Sequence, residues 1–121
     1  MTPVTAARAN FYCWGGDCSG WRLLELDHFQ VRQEAMPAGA AEEPHMHRAA
    51  HQFFYVLSGS MTMRTPDGVV RVGAGQGFHV PPGLPHLVRN DEATELVFIL
   101  SSSPSTVGDR HVVDTVGWAV A

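Results

Sequence analysis

The chain has 121 residues, a net charge of −4 and eight basic residues, all of them arginine, which predicts one domain over 1–121 with a core of its own. The acidic balance excludes a basic surface for nucleic acid, no apolar run approaches the roughly 20 residues of a membrane helix, and the absence of lysine excludes Schiff-base catalysis. Because the first residues also lack the apolar centre of a signal peptide, we expect a cytoplasmic protein without nucleic-acid or membrane partners.

The predicted elements are short strands. The first ten residues look loosely ordered, and Cys13 and Cys18 are expected to be a reduced pair, with a disulfide or an auxiliary metal contact as alternatives. Apolar runs rich in aromatic and β-branched residues then alternate with Gly, Pro, Asn and Asp. The runs lie at 21–26, 28–36, 52–57, 61–64, 69–72, 77–80, 86–89, 94–100 and 111–113. Since no window of a dozen residues shows a helical period, the sequence predicts an all-β sandwich or small barrel.

A group of histidines suits one metal ion. His45 and His47 are two residues apart, so in an extended strand both imidazoles point to the same face. His86 follows in a Pro-Pro-Gly-Leu-Pro-His segment, and His51 lies four residues after His47. Neutral imidazole is the commonest side-chain ligand for zinc, iron, nickel and copper. The spacing therefore predicts a site for one divalent transition metal.

The two segments that carry these histidines resemble the motifs of the cupin family. The first motif is matched by Gly39, His45-Met46-His47, Gln52 and Gly59, and the second by Gly75, Pro81-Pro82-Gly83, His86 and Asn90. The resemblance covers about 22–101 and is strongest to small bacterial single-domain cupins without an assigned reaction. It implies an all-β double-stranded β-helix, a jelly-roll barrel, with the metal site inside. It also implies a homodimer, because many small cupins pair through their outer sheet.

The resemblance implies His45, His47, Gln52 and His86 as metal ligands, with Fe, Mn, Ni or Zn as the ion. Cupins usually have a glutamate where this chain has Gln52. Glutamine can bind metal through its carbonyl oxygen but brings no charge, so the site would be a stronger Lewis acid and would attract anions. His51 is the alternative ligand. Two observations favour Gln52 over His51 as the ligand. Alternation along the strand turns the two side chains to opposite faces, and six residues separate Gln52 from Gly59, as in the motif.

The expected function is Lewis-acid chemistry, isomerisation or elimination, on a small oxygen-rich acid. The alternatives are a non-haem metal dioxygenase and a non-catalytic small-ligand sensor. Tyr55 is a weak candidate for a proton donor. Arg110 is a weak candidate for binding a substrate carboxylate, with an ion pair to Asp109 as its other interpretation. Glu42 and Glu43, which come just before His45 in the sequence, are expected to lie in a solvated loop. The alternative is that one of them reaches the site.

Overall fold

The computed structural model describes residues 1–119, so the last two residues of the predicted domain 1–121 lie outside it. Within the described range, eleven strands follow one short 3-10 turn at Ala6–Arg8, and no helix is long and apolar enough to cross a membrane. The strands are β1 Asn10–Trp14, β2 Cys18–Leu26, β3 Phe29–Met36, β4 His45–Met46, β5 His51–Ser58, β6 Ser60–Thr65, β7 Gly68–Gly73, β8 Gly77–Val80, β9 Leu87–Arg89, β10 Leu96–Ser103 and β11 His111–Val112.

The strands form the double-stranded β-helix that the sequence predicts. A six-stranded sheet has the order β1-β2-β3-β10-β5-β8, and it faces a three-stranded sheet β7-β6-β9 and the short pair β11-β4. The neighbouring strands pair antiparallel throughout. Thr65 and Gly68 pair at the end of the β6–β7 hairpin, on either side of Pro66 and Asp67. The fold class predicted from the sequence is therefore confirmed.

The N-terminal strand β1 differs from the sequence prediction. It pairs with β2 from Asn10↔Arg22 to Trp14↔Cys18, so ordered structure begins earlier than expected. The turn between the strands uses Gly15, with a φ of 55°, and Gly16, with a φ of 86°, values that side chains other than glycine rarely adopt. Both cysteines are free thiols, as the preferred interpretation expected.

The inward side chains of β5 and β10 change from apolar to polar along the barrel. Phe54 and Phe98 are buried with ring centroids 5.7 Å apart, whereas Gln52 and Ser102 are paired across the strands further along. Each large apolar side chain that is fully buried stabilises the fold by about 1.5–3 kcal/mol. A hydrophobic core of such side chains fills one end of the barrel. The core residues are Cys18, Met36, Phe54, Val56, Met61, Met63, Val72, Val80, Val88, Leu96, Phe98 and Leu100.

Backbone hydrogen bonds join the two histidine-bearing segments near the other end. His45 and His86 exchange their amide and carbonyl groups at 3.0 and 2.9 Å, which makes an isolated antiparallel bridge. The amide of Gly83, in the Pro-Pro-Gly turn, donates to the carbonyl oxygen of His47 at 2.7 Å. These main-chain contacts fix the relative positions of the histidines independently of side-chain interactions.

Candidate metal centre

Three histidines converge inside the barrel. One ring nitrogen from each of His45, His47 and His86 lies within 4.8 Å of the others. The side chains are 4%, 5% and 0% exposed, so they meet in the interior and not as a surface cluster. Nitrogen ligands lie about 2 Å from zinc, and hence within about 4 Å of one another. Small ring movements would bring the three donors to a common ion.

Backbone carbonyl groups orient all three imidazole rings. Each Nδ1 atom lies close to a main-chain carbonyl oxygen. The distance is 2.8 Å from His45 to the carbonyl of Glu43, 2.8 Å from His47 to that of Asp109, and 2.9 Å from His86 to that of Leu84. A carbonyl oxygen only accepts, so each Nδ1 must carry the proton and donate it. Each Nε2 then has a free lone pair. This is the arrangement that fixes metal-binding histidines in the correct tautomer.

Gln52 adds an oxygen donor to the same interior. Its side chain is buried, and its Nε2 donates to the hydroxyl of Ser102 at 3.3 Å. The other end of the amide, Oε1, is buried and has no hydrogen-bond partner among the described residues. Nε2 of His47 and Nε2 of His86 are in the same situation. A buried polar atom without a partner costs about 1–3 kcal/mol. The rings of His47 and His86 converge, and Gln52 lines the same cavity as His47. The two imidazole nitrogens and the amide oxygen are all suitable metal ligands.

Burial keeps the histidines neutral. Desolvation and the positive charge that His86 would carry lower the pKa of His45 to about 3. Desolvation lowers the pKa of His86 to about 4 and also lowers that of His47. Neutral imidazole is the form that binds a metal. The three rings are therefore ready to bind at neutral pH without first losing a proton.

His45 and His47 open into a cavity of about 450 Å³. Its lining is mixed, with aromatic, carboxyl, guanidinium and hydroxyl groups around the imidazoles. This volume is typical of sites for small organic molecules. The lining residues are Tyr12, Trp14, Gly15, Arg32, Glu34, Glu42, Glu43, His45, His47, Gln52, Leu100, Ser102, Thr106 and Arg110.

The prediction of a solvated loop is wrong for Glu42. Its side chain is only 10% exposed, and its Oε2 accepts the amide proton of Val88 at 3.2 Å. Burial and the nearby Glu34 raise the pKa of Glu42 to about 8, so the carboxyl is largely protonated at neutral pH. The Oε1 atom lies 3.6 Å from Nδ1 of His45. Glu43 has a 60% exposed side chain and lines the cavity from its rim.

The other candidates divide between the cavity and the outside. Tyr55 is 42% exposed and is not among the lining residues. It alternates with the inward Phe54, so the suggestion that it donates a proton is wrong. His51 also lies outside the barrel, with its Nδ1 3.0 Å from Nε2 of His79 and the two rings stacked. Gln52, and not His51, lines the cavity that His45 and His47 also line.

Arg110 lies at the rim of the cavity but does not pair with Asp109. Its NH1 is 3.4 Å from the carboxylate of Glu43, and its side chain is 44% exposed. The carboxylate of Asp109 instead accepts three backbone amide protons, from Arg48, Ala49 and Ala50. The expected ion pair between Asp109 and Arg110 is therefore wrong. The guanidinium still faces the cavity, where an anion could reach it.

Sequence reasoning missed one wall of the cavity. Tyr12 from β1 and Arg32 and Glu34 from β3 lie there together with Thr106. No local pattern identifies them, because Glu34 faces inward only through its pairing opposite Phe98.

The comparisons with known proteins agree with this architecture. A family model described as a cupin domain matches residues 32–102, more than half of the chain. The chain belongs to the cupin family. Many cupins bind a metal ion, and the three histidines of this cupin lie at metal-binding distance from one another. No sequence among curated proteins matches the chain.

Solved structures share the fold of this cupin at low sequence identity. The polyketide cyclase RemF from Streptomyces resistomycificus superposes with a TM-score of 0.79 at 20% identity, covering 94% of this chain and 86% of that one. A predicted oxalate decarboxylase from Thermotoga maritima gives 0.77 at 18% identity, with coverages of 87% and 100%. A Streptomyces PAC13 variant with uridine gives 0.76 at 16% identity, with coverages of 91% and 88%. Likeness at this level concerns the fold alone.

Proposed function

We propose that this cupin holds one divalent transition metal, Fe, Mn, Ni or Zn, through His45, His47, Gln52 and His86. The observation that carries the proposal is the convergence of three imidazoles whose Nδ1 atoms are all committed to backbone carbonyl groups. The amide oxygen of Gln52, which has no hydrogen-bond partner among the described residues, supports the fourth position. Ser102 stabilises this orientation by accepting from the other end of the amide.

The proposed reaction is an isomerisation or elimination on a small, oxygen-rich, anionic molecule. When bound, the metal supplies Lewis acidity that polarises a carbonyl or hydroxyl oxygen. All four proposed ligands are neutral, so the site keeps its positive charge and favours an anion. Arg110 at the rim can hold a carboxylate of the substrate, since its guanidinium has only long contacts, to Glu43 at 3.4 Å and to Nδ1 of His45 at 3.5 Å.

The size and lining of the cavity support a small-molecule ligand. A space of about 450 Å³ accommodates a molecule of sugar-acid or nucleoside size. The solved PAC13 structure contains uridine in a protein of the same fold. The side chains of Trp14 and Tyr12 offer apolar surface for a ring or carbon chain, while the carboxyl and guanidinium groups offer hydrogen bonds.

We also propose that this cupin is a homodimer. The outer side of β5 exposes Phe53, Tyr55 and Leu57 by 47%, 42% and 46%. Three large apolar side chains in a row on one sheet face form a patch that favours association. Light scattering coupled to size exclusion should give twice the chain mass. A monomer at micromolar concentration would contradict this proposal. The cytoplasmic location and the absence of nucleic-acid and membrane partners stay predictions.

Anaerobic reconstitution tests the reaction class. The protein is loaded separately with Fe²⁺, Mn²⁺, Ni²⁺ and Zn²⁺ and then incubated, with and without oxygen, with a panel of small hydroxy and oxo acids, followed by proton NMR and an oxygen electrode. Turnover with several of these metals and without oxygen supports the proposal. Turnover with iron alone, accompanied by oxygen consumption, would identify a dioxygenase instead. Saturable binding without turnover would identify a ligand-binding protein.

A further inference from the structure

The strand β1 brings a tyrosine to the cavity wall. Tyr12 lies opposite Gly20 of β2, and its ring occupies the space that a side chain at Gly20 would fill. A Cβ atom at that glycine would be 2.2 Å from Cζ of Tyr12. The guanidinium of Arg22 stacks on the ring, 4.4 Å from its centroid. The ring is therefore held in one position by a strand that the cupin family match at 32–102 does not include.

The hydroxyl of Tyr12 is directed at Glu34. It donates a hydrogen bond to Oε2 of that carboxylate, which is 7% exposed and lines the cavity. Arg32, the cation on the same face of β3, binds Glu25 at 2.7 and 3.2 Å. Within residues 1–119 no ion pair involves Glu34. A buried carboxyl facing a cavity without a salt-bridge partner is suited to exchanging a proton with a ligand.

We infer that Glu34 is the general acid and base of this cavity, and that Tyr12 is its positioning residue. The inference rests on the proposed function and assigns the proton-moving group that Lewis-acid chemistry needs. In an isomerisation, the carboxylate of Glu34 removes a proton from the carbon next to a substrate carbonyl. The electron pair of the broken C–H bond stays on the substrate as an enolate or enediol. On a substrate whose α-carbon carries a hydroxyl group, the same proton then returns to the former carbonyl carbon, and the hydroxyl proton passes to the former carbonyl oxygen. The α-carbon thereby becomes the new carbonyl carbon, so atoms and electrons balance without any oxidant.

The electrostatic surroundings support this role. Burial raises the pKa of Glu34 to about 7, although the Tyr12 hydroxyl and the Arg32 charge act to lower it. The other titratable groups that Glu34 influences are Glu42 and Cys18, whose pKa values it helps to raise. Glu42 is largely protonated and brings little negative charge at neutral pH. A carboxyl that titrates near the working pH is present in both forms, as an acid and base must be.

Proton exchange into D₂O tests the assignment without knowledge of the natural substrate. The probes are pyruvate, which is anionic, and dihydroxyacetone, which forms an enediol. Protein loaded with Zn²⁺ is incubated with each probe, and loss of the α-proton signal is followed by NMR. We expect the Glu34→Gln variant to exchange at least about 100-fold more slowly than the wild type. Its Zn²⁺ content should stay at one per chain. Glu95→Gln, an exposed carboxyl outside the cavity, is the matched control and should exchange at the wild-type rate.

The Tyr12→Phe variant separates positioning from folding. Removing the hydroxyl removes a hydrogen bond that lowers the pKa of Glu34. The pKa of Glu34 should therefore rise, and the exchange rate should begin to increase at a higher pH than in the wild type. A purely structural role of Tyr12 would not cause this shift. If Glu34→Gln does not fold, Glu34→Asp keeps the carboxyl but retracts it by one methylene. That variant should exchange at least about 10-fold more slowly.

The outcomes distinguish the two proposals. The Glu34→Gln variant is decisive if it folds, and Glu34→Asp replaces it if it does not. Exchange at the wild-type rate in the folded variant contradicts the assignment of Glu34 and leaves the proposed function standing. An unshifted pH profile in Tyr12→Phe contradicts the positioning role. Absence of exchange of both probes by wild-type protein that holds one Zn²⁺ per chain contradicts the proposed function, and with it the role of Glu34.

Discussion

Asp109 connects the C-terminal segment to the candidate metal centre, and replacing it tests that connection. Its carboxylate accepts the amide protons of Arg48, Ala49 and Ala50 at 2.9, 3.0 and 3.0 Å. Its main-chain carbonyl oxygen accepts the Nδ1 proton of His47 at 2.8 Å. Asp109 therefore fixes the loop at 48–50, which follows His45 and His47, and it also keeps the proton of His47 on Nδ1. The Asp109→Ala variant removes only the carboxylate.

The size of the effect follows from the exposure of the three amides. Arg48 and Ala49 are exposed, so water replaces the carboxylate there, and each lost bond costs about 1 kcal/mol. Ala50 is 1% exposed, so its amide loses its partner without full hydration and costs about 1–3 kcal/mol. We expect Asp109→Ala to lower the free energy of unfolding by about 3–5 kcal/mol. For a chain of this size the midpoint of thermal unfolding should fall by about 10–20 °C.

The assay is thermal and urea unfolding of the metal-free protein. Asp114→Ala is the matched control, because Asp114 is exposed and accepts a single exposed amide, that of Val116, at 3.0 Å. Its effect should stay below about 1 kcal/mol. The looser support of His47 should also weaken Zn²⁺ binding by about 10-fold to 100-fold in the Asp109→Ala variant.

The pH dependence adds an independent check. Burial acts to raise the pKa of Asp109, but the three amide hydrogen bonds outweigh it and hold the pKa at about 2, below the ordinary 3.8. A depressed carboxyl pKa stabilises the fold above the unfolded value, and this stabilisation is lost as pH falls from about 4 to about 2. The difference between wild type and Asp109→Ala should shrink over that window. A loss below 1 kcal/mol at neutral pH would refute the reasoning.

Three further predictions concern the interior of the barrel. Gln52→Glu should retain the metal but bind oxalate at least 10-fold more weakly by calorimetry, because it adds a negative charge; equal affinity would contradict the charge argument. Gly20→Ala should destabilise the protein by about 1–3 kcal/mol in urea unfolding, because its Cβ would lie 2.2 Å from Cζ of Tyr12. Gly73→Ala, with its nearest contact at 3.4 Å, is the control and should have a smaller effect. The stability of the metal-free protein relative to a His45→Phe variant should fall as pH falls from 6.5, the ordinary value for histidine, towards about 3, because His45 is neutral when folded and charged when unfolded. Taking the difference between the two proteins removes the opposite contribution of Glu34 and Glu42, whose pKa values are raised. A difference that stays flat between pH 6.5 and 4 would contradict this expectation.

The strands and the positions of the three histidines and Gln52 were accessible from the sequence because they depend on local patterns. The alternation along β5 identifies Gln52 as inward and His51 as outward, and the structure places them so. The turn of Pro81-Pro82-Gly83 and the spacing to His86 identify the second histidine segment. These features are set by neighbouring residues, so a single sequence contains the necessary information.

The far wall of the cavity was not accessible, because it depends on long-range pairing. β1 has no clear alternation, and Tyr12 gains its position from the absence of a side chain at Gly20. The adjacent carboxyls of Glu42 and Glu43 look equally hydrophilic in the sequence. Only the tertiary contact with Val88 buries one of them. Tyr55 was proposed for its chemistry although the alternation along β5 already placed it outside.

The most direct test of the central claim is the metal content of protein purified without a histidine tag and without added metal. The account predicts about one equivalent of transition metal per chain. It predicts loss of this metal in the His45→Ala/His47→Ala double variant and in His86→Ala, and its retention in His51→Ala, a matched histidine outside the barrel. A His86→Ala protein that still holds one metal per chain would contradict the assigned site. Wild-type protein that stays metal-free after anaerobic reconstitution with iron, manganese, nickel and zinc would contradict the proposed function as a whole.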